Sequence, residues 1–402
     1  MSSQSNTHGT RLLINKMKNT KQSKGEHILE GSRAIALTIN NINPDVISAY
    51  PITPQTHIVE DLAKFKAEGK ADYEYVRAES EFAAASIILG ACAAGSRVYS
   101  ATSSQGLLLM IEVLYNISGM RLPIVMTCAN RSISAPINIW NDHSDAMAVR
   151  DSGWMQFFAE NHQEAVYQHL LAYKVAEKTN LPALVNVDGF ILTHSYEPVS
   201  IPNKNLIKKY LPAYVPAPGT FLDPKNPITL GGFSSSDAYF KTRENIFQDF
   251  NLSLGEIKKE YRNLKKIFNF KNNGNGLIEY SGAKKPKTIL ITMGSLTGTI
   301  KETIKNYKNI GLLKITTFRP FPAEEIIKTI GKCENIAIIE KAISPGSGGP
   351  LFSEVKAAIS QMEKKNTRNY IVGLGGKDIS QKNIQKIIKD ASNRGKQITF
   401  IG

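Results

Sequence analysis

Three side chains of different chemistry follow predicted strands in the first third of the chain. Thr53, Glu81 and Arg131 each stand shortly after an apolar segment. In an open parallel sheet the carboxyl ends of the strands lie along one edge, and ligands bind in the crevice outside it. We therefore expect a hydroxyl, a carboxyl and a guanidinium group to meet in one pocket. The apolar segments are residues 45–50, 73–76 and 122–128, and a fourth, residues 97–101, leads into Thr102-Ser103-Ser104-Gln105-Gly106.

Each of these residues also has a purely structural explanation. Thr53 stands between Pro51 and Pro54, where a hydroxyl could stabilise a turn. Glu81 would begin a helix, where the helix dipole favours a carboxylate. Arg131 could form an ordinary ion pair. Taken one at a time, these residues do not distinguish a ligand site from local stabilisation.

The elements that must position these residues predict a doubly wound α/β domain. Short apolar segments alternate with helix-like patterns up to about residue 190, an order typical of a parallel sheet with helices on both faces. The helix that Glu81 begins is apolar on all sides, and such a helix is expected to be buried. A single helix is predicted over residues 105–118.

The pattern changes near Tyr196, where prolines mark a loop-rich segment. One or two polar helices are predicted over residues 238–268, and the α/β alternation resumes at Lys287 as a second, smaller parallel-sheet domain. We therefore divide the chain into a basic, disordered tail (residues 1–26), a first domain (27–235), a helical connector and linker (236–284) and a second domain (285–402). The predicted strands of the second domain are residues 288–292, 312–316, 336–339, 369–372 and 398–401.

Composition narrows the class of protein. The chain has 402 residues, of which 42% are hydrophobic and 21% charged, with a formal net charge of +14. That charge could attract nucleic acid, but the lysines are scattered and no RNA-binding or helix-turn-helix signature is present, so nucleic-acid binding is not predicted. No apolar segment approaches the length of a membrane span, and we expect a cytoplasmic protein. The three cysteines form no CxxC motif, so the chain is not expected to ligate an iron–sulfur cluster by itself.

Two weaker motifs favour structural explanations. Pro345-Gly346-Ser347-Gly348-Gly349-Pro350 precedes a helix and could cradle a phosphate. It lacks the Lys-Ser/Thr of a P-loop and the spacing of a dinucleotide fingerprint, so a structural turn is the better interpretation. Asp142, His143 and Asp145 could in principle bind a metal, but helix-terminal polar contacts explain them equally well. No metal site is predicted in this chain.

Several longer motifs occur together and in a consistent order. They are Tyr50-Pro51-Ile52-Thr53-Pro54, Glu79-Ser80-Glu81, Thr102-Ser103-Ser104-Gln105-Gly106, Cys128-Ala129-Asn130-Arg131, Asn138-Ile139-Trp140-Asn141-Asp142-His143-Ser144-Asp145 and Gly349-Pro350-Leu351-Phe352. With these motifs the chain resembles the α subunits of pyruvate:ferredoxin oxidoreductases and, more broadly, the 2-oxoacid:ferredoxin oxidoreductases. The resemblance begins near Glu30 and continues through the second domain.

The resemblance implies both a fold and a distribution of the cofactors among several subunits. The first domain would be the pyrimidine-binding half of a thiamine diphosphate site, and the second would be similar to the carboxy-terminal domain of transketolase. The diphosphate, magnesium and [4Fe–4S] clusters would belong to partner subunits of β, γ and δ type. Glu81 matches the glutamate that meets the aminopyrimidine ring of the cofactor. Arg131 matches the arginine that holds the substrate carboxylate, and Thr53 matches a threonine whose hydroxyl contacts the substrate.

The implied activity is the oxidative decarboxylation of pyruvate with coenzyme A to acetyl-CoA and carbon dioxide, with electrons passed to ferredoxin or flavodoxin. The same chemistry on 2-oxoisovalerate, 2-oxoglutarate or oxalate remains an alternative, although Ala135-Pro136 and the segment after it look more like the pyruvate type. A non-catalytic basic scaffold or nucleic-acid-associated protein on this fold is a second alternative. The combination of Thr53, Glu81 and Arg131 argues against that scaffold.

Overall fold

The computed structural model describes residues 26–393 and 395–402. The basic tail predicted over residues 1–26 lies outside the described residues, except for Glu26. Along the described chain the strands are β1 (His27–Glu30), β2 (Val46–Ala49), β3 (Glu74–Arg77), β4 (Val98–Thr102), β5 (Val125–Asn130), β6 (Met155–Phe158), β7 (Ala183–Asp188), β8 (Tyr196–Val199), β9 (Ile278–Gly282), β10 (Thr288–Thr292), β11 (Ile310–Ile315), β12 (Thr317–Arg319), β13 (Asn335–Glu340), β14 (Asn366–Val372) and β15 (Ile398–Ile401).

The helices lie between these strands. They are α1 (Gly31–Ile42), α2 (Thr56–Ala67), α3 (Glu81–Ala93), α4 (Ser104–Leu109), α5 (Ile111–Gly119), α6 (Ser144–Ala148), α7 (His162–Thr179), α8 (Lys204–Tyr210), α9 (Ser236–Phe268), α10 (Leu296–Ile304), α11 (Ala323–Ile330), α12 (Pro350–Ala358) and α13 (Gln381–Asp390). A short 3₁₀ turn covers Leu374–Gly376. None of the described helices is long and apolar enough to cross a membrane.

Two large sheets confirm the predicted two-domain α/β fold. The first has the strand order β12-β6-β7-β5-β4-β2-β3, and all of its neighbouring strands except β12 and β6 run parallel. The second has the order β15-β14-β13-β10-β11-β9 and is parallel except for β9. Every residue of β4, β5 and β7 is buried, as expected of strands covered on both faces. The carboxyl ends of β2, β3, β4 and β5 therefore lie side by side along one edge.

A three-residue strand joins the two domains. The strand β12 follows β11 of the second sheet directly, yet it pairs antiparallel with β6 at the edge of the first sheet. The sequence did not predict it, because three residues are too few to show a strand period. The antiparallel strand β9, which lies within the segment assigned to the connector, was also not predicted. The pairing of β12 with β6 joins the second part of the chain to the first sheet, whereas β9 pairs with β11 at the edge of the second sheet.

The helices depart from the sequence predictions in two further places. The helix predicted over residues 105–118 is divided into α4 and α5 at Met110, although its backbone bonds from Met110 to Gly106 and from Leu114 to Met110 continue the helical pattern. The expectation that α3 is buried on all sides was wrong. One face packs on the sheet, but Phe82 on the opposite face is 41% exposed. An apolar face that remains exposed is typical of an interaction surface.

A buried ion network crosses the domain boundary. Lys314 on β11 is only 2% exposed, and its ammonium group lies 2.9 Å from Glu160, 2.9 Å from Glu164 and 3.0 Å from Glu279. Lys301 also contacts Glu160 and Glu279. Burial opposes the charge of Lys314, but the surrounding carboxylates hold its pKa above the ordinary value. Lys314 is therefore the cation that contacts all three carboxylates, while Lys301 shares two of them.

We expect Lys314→Ala to destabilise the chain by about 3–5 kcal/mol, because it removes the one counter-ion that these three buried carboxylates share. Lys305→Ala is a suitable control, since Lys305 pairs with Glu302 on an exposed helix surface. That change should cost less than about 1 kcal/mol. Urea denaturation of the two purified variants measures both free energies of unfolding. Equal, small decreases in the two variants would show that the Lys314 network does not stabilise the contact between the domains.

Candidate functional site

The guanidinium group of Arg131 is held by two backbone carbonyls. Arg131 follows β5 directly and is 9% exposed. Its Nε donates to the carbonyl of Asn138 at 3.0 Å, and its Nη1 donates to the carbonyl of Thr53 at 2.9 Å. Burial lowers the pKa of Arg131, and the nearby Asp145 partly offsets that shift. Because an arginine stays protonated in proteins, the result is a fixed positive charge at the carboxyl edge of the sheet.

Thr53 and Arg131 are in contact at the carboxyl edge of the sheet. Thr53 is exposed on the loop after β2, and the contact is made by its carbonyl and not by its hydroxyl. Gln55 fixes this loop to the sheet, because its Nε2 donates to the carbonyl of Ala101 on β4 at 2.6 Å. Gln55 was not singled out in the sequence, although it directly follows Pro54. Its side chain joins the loop after β2 to the neighbouring strand.

The carboxyl group of Glu81 lies at the start of α3, on the same edge. Ser80 caps that helix by accepting a hydrogen bond from the amide of Ala83 at 3.1 Å. Glu81 is 8% exposed and packs against Gly106, where an added Cβ would lie 2.5 Å from its Oε1. The hydroxyl of Thr102 lies on the same side of Gly106, 2.6 Å from that added Cβ. Among the described residues, the buried hydroxyls of Thr102 and of the adjacent Ser103 have no hydrogen-bond partner. The surroundings of Glu81 thus combine a buried carboxyl, unpaired hydroxyls and a space that only glycine leaves open.

Asp145 connects the strand ends that surround this site. Its buried carboxylate accepts hydrogen bonds from the amide of Ser104 at 3.0 Å, the amide of Arg131 at 2.9 Å and Nδ2 of Asn130 at 3.0 Å. Burial raises the pKa of Asp145, while these donors act in the opposite direction. The segments after β4 and β5 are therefore held together by one side chain.

The three residues considered as metal ligands do not converge on a common point. Asp142 accepts from the amide of Ser144 at 3.0 Å, and His143 Nε2 lies 2.7 Å from Asp188 Oδ1. Asp145 makes the contacts described above. The interpretation as helix-terminal and loop contacts accounts for all three side chains.

Asp188 provides the corresponding connection between the two domains. It ends β7, and its Oδ2 lies 2.7 Å from Nζ of Lys341, which follows β13 of the second sheet. Lys341 also donates to Oδ1 of Asn141 at 2.9 Å. Burial alone would raise the pKa of Asp188, but Lys341 and His143 hold it well below the ordinary value. The carboxyl edges of the two sheets are consequently joined by a buried ion pair.

The glycine-rich segment before α12 binds a carboxylate from within the chain. Glu340 accepts from the amide of Leu351 at 2.8 Å and from the amide of Phe352 at 3.0 Å. A Cβ on Gly349 would lie 1.8 Å from Glu340 Oε1, so glycine is required for this approach. The first amides of α12 are therefore occupied, and the interpretation of this motif as a structural turn agrees with the structure.

Family models match both domains. Residues 38–263 match the thiamine diphosphate-binding domain of pyruvate flavodoxin/ferredoxin oxidoreductases, and residues 287–384 match core domain II of pyruvate:ferredoxin oxidoreductase. The pyruvate synthase subunit PorA of Methanocaldococcus jannaschii is 46% identical over 370 residues, which cover 90% of this chain and 93% of that protein. The ketoisovalerate oxidoreductase subunit VorA of Pyrococcus horikoshii is 38% identical over 371 residues, covering 90% and 93%.

A solved structure has the same fold at lower sequence identity. It is a 2-oxoglutarate:ferredoxin oxidoreductase from Magnetococcus marinus with 2-oxoglutarate, coenzyme A and succinyl-CoA bound, and it superposes with a TM-score of 0.70 at 20% identity. The match covers 92% of this chain and 65% of the solved one. This similarity supports the architecture of both domains.

The carboxyl group of Glu340 makes stability depend on pH. Burial raises its pKa from 4.5 to about 7, although the hydrogen bonds donated by Leu351, Phe352 and Asn369 act to lower it. The folded chain therefore binds this proton more tightly than the unfolded chain, and the resulting stability is complete below pH 4.5 and lost as the pH rises through about 7. We expect Glu340→Gln to remove this dependence. As the pH rises from 5 to 7.5, the wild type should therefore lose about 1–3 kcal/mol of unfolding free energy that the variant keeps.

Urea denaturation at several pH values tests this expectation. Glu334→Gln, at an exposed carboxyl of the same domain, serves as the control and should follow the wild type. A constant difference between Glu340→Gln and the wild type across this pH range would contradict the assignment.

Proposed function

Because the chain belongs to the pyruvate flavodoxin/ferredoxin oxidoreductase family, we propose that it is the α subunit of an enzyme that oxidatively decarboxylates pyruvate. The reaction joins the acetyl group to coenzyme A, releases carbon dioxide and passes electrons to ferredoxin or flavodoxin. Pyruvate is favoured over 2-oxoisovalerate because identity to pyruvate synthase subunits reaches 46%, against 38% for ketoisovalerate oxidoreductase subunits. 2-Oxoisovalerate remains the second candidate substrate.

The main structural support for this proposal is the surroundings of Glu81, because they fit the pyrimidine end of thiamine diphosphate. Bound thiamine diphosphate supplies the electron sink for loss of carbon dioxide from a 2-oxoacid, and the protein supplies orientation and proton placement. The buried Glu81 would hold a proton at N1′ of the aminopyrimidine. Thr102 offers an unpaired hydroxyl near it, and Gly106 leaves room for close approach.

Arg131 is oriented to bind the carboxylate of the substrate. A guanidinium group has five N–H donors, and the carbonyls of Thr53 and Asn138 engage two of them. The remaining three include both hydrogens of Nη2, and a substrate carboxylate could accept hydrogen bonds from them. The exposed hydroxyl of Thr53 lies on the loop that contacts Arg131 and could donate to the same substrate. Arg131 would thus hold the acid end while the keto carbon faces the cofactor.

An exposed apolar surface beside Glu81 supports a partner subunit at this site. Phe82, Leu109, Ile111 and Tyr115, on α3, α4 and α5, are between 38% and 51% exposed. These helices pack on one another, and we call the four exposed side chains together the α3–α5 face. We assign this face to the β subunit that would bind the diphosphate and magnesium. Closing the pyrimidine site would then require both subunits.

The remaining cofactors are assigned to partner subunits. The three cysteines are buried and unpaired, whereas a cluster is usually held by four cysteine thiolates. We therefore place the [4Fe–4S] clusters in β and δ partners, with a γ subunit completing the complex. Unpaired cysteines are common in reducing compartments, and we place the assembly in the cytoplasm.

The role of Glu81 is tested by Glu81→Gln in the assembled complex. The amide preserves size and helix position but cannot exchange a proton with the pyrimidine ring, so we expect pyruvate-dependent ferredoxin reduction to fall by about 10²- to 10⁴-fold. Glu79→Gln changes a carboxyl two residues earlier and should retain nearly full activity. Wild-type turnover of Glu81→Gln would remove this residue from the mechanism.

The role of Arg131 is tested by Arg131→Lys, which keeps the charge but loses the planar fork. If Arg131 binds the substrate carboxylate, kcat/KM for pyruvate should fall about 10- to 150-fold, as expected for the loss of a charge-assisted hydrogen bond. Binding of thiamine diphosphate should persist, and the melting temperature should change little. Arg33→Lys, at a half-exposed pair with Asp61, is the control. Normal pyruvate kinetics combined with a large drop in melting temperature would indicate a purely structural ion.

A further inference from the structure

A turn of the second domain reaches the loop that orients Arg131. The turn comprises residues 373–376 after β14, and we call it the glycine turn. Gly373, Gly375 and Gly376 have φ values of 62°, 58° and 80°, in the left-handed region that glycine adopts without a Cβ penalty. The chain can follow this path only because these positions carry no side chain.

Hydrogen bonds connect the glycine turn to residues 138–142 of the first domain, which we call the 138–142 loop. The amide of Gly376 donates to the carbonyl of Asn141 at 2.7 Å, and the amide of Gly375 donates to Oδ2 of Asp142 at 3.1 Å. In the opposite direction, Nδ2 of Asn138 donates to the carbonyl of Gly375 at 3.1 Å. The turn therefore contacts the loop at both of its ends.

The turn and the loop also approach each other closely. A Cβ on Gly376 would lie 2.3 Å from Cβ of Trp140, and a Cβ on Gly375 would lie 2.9 Å from Nδ2 of Asn138. Distances this short would force the loop or the turn to move. Glycine at these positions consequently sets how close the second domain comes to the loop.

The other side of the 138–142 loop holds Arg131. The carbonyl of Asn138 accepts from Nε of Arg131 at 3.0 Å, and Oδ1 of Asn138 accepts from the amide of Trp140 at 2.7 Å. Lys341 of the second domain adds another constraint, because its Nζ donates to Oδ1 of Asn141 at 2.9 Å. A continuous series of contacts thus runs from the glycine turn through Asn138 to the guanidinium group.

We propose that the glycine turn is a positioning element for the substrate: by fixing the 138–142 loop, it sets the direction in which Arg131 presents its fork to the carboxylate of the 2-oxoacid. This inference rests on the proposed role of Arg131. A displacement of the Asn138 carbonyl would move the guanidinium group through its Nε hydrogen bond, and the fork would then match the two oxygens of the carboxylate less well. Gly375 and Gly376 are accordingly positioning residues, which do not touch the substrate.

Gly376→Ala in the assembled complex tests the proposal, with Gly346→Ala as a matched control. Gly346 has a φ of 81°, close to that of Gly376, but a Cβ there would meet nothing within 4 Å. The two variants therefore share the same backbone strain and differ in the contact with Trp140. We expect Gly376→Ala to raise KM for pyruvate by about tenfold or more relative to Gly346→Ala, while kcat changes less, because ground-state binding of the carboxylate is weakened. The affinity for thiamine diphosphate should be equal in both variants.

Asn138→Ala provides a second variant that adds no atoms. It removes the hydrogen bond from the side-chain amide of Asn138 to the carbonyl of Gly375 and should also raise KM for pyruvate. If the Gly376→Ala variant does not assemble, Asn138→Ala alone tests the proposal. If the glycine turn serves only packing, both variants should have a lower melting temperature and an unchanged KM for pyruvate in the folded complexes. That result would overturn the proposal. Arg131→Lys measured in parallel separates the positioning role from the role of Arg131. A reduced kcat/KM in Arg131→Lys with normal KM values in Gly376→Ala and Asn138→Ala refutes only the positioning role. A normal kcat/KM in Arg131→Lys refutes the role of Arg131 itself.

Discussion

The site depends on one buried carboxylate, that of Asp145. A charge taken out of water is stable only when hydrogen bonds replace its hydration, and here the replacement comes from separate strand ends. The amides of Ser104 and Ala146, the amide of Arg131 and the side chain of Asn130 all point at this group. Satisfying Asp145 thus requires the ends of β4 and β5 and the start of α6 to converge. The position of the Arg131 backbone follows from that requirement.

A second buried carboxylate extends the same principle across the domain boundary. Asp188 is surrounded by Lys341, His143 and Ser295, so the carboxyl edges of the two sheets must meet for its charge to be compensated. The Lys314 network and the strand β12 tie the domains together elsewhere. With the domains fixed relative to each other, a turn of the second domain can act on a loop of the first at the distance of a hydrogen bond.

The sequence was informative wherever local periodicity decided the structure. The apolar strands β10 and β15 have the predicted bounds, and the ends of β2, β3 and β5 bring Thr53, Glu81 and Arg131 to one edge, as a parallel sheet requires. Contacts between distant segments could not be predicted in this way. The pairing of β12 with β6 and the approach of Gly376 to Trp140 depend on how the domains pack. The exposed face around Phe82 was misjudged because an apolar helix surface has the same composition whether it covers a core or a partner.

We propose that this chain forms the pyrimidine half of a thiamine diphosphate site and presents Arg131 to the substrate. The most direct test is a high-resolution structure of the assembled complex with thiamine diphosphate and pyruvate. We predict the Glu81 carboxyl within hydrogen-bond distance of N1′, about 2.6–3.2 Å, the pyruvate carboxylate on the guanidinium fork of Arg131, and the α3–α5 face covered by the subunit that holds the diphosphate. A cofactor bound away from Glu81 would contradict the proposed role of Glu81, and a pyruvate carboxylate held by other residues would contradict that of Arg131.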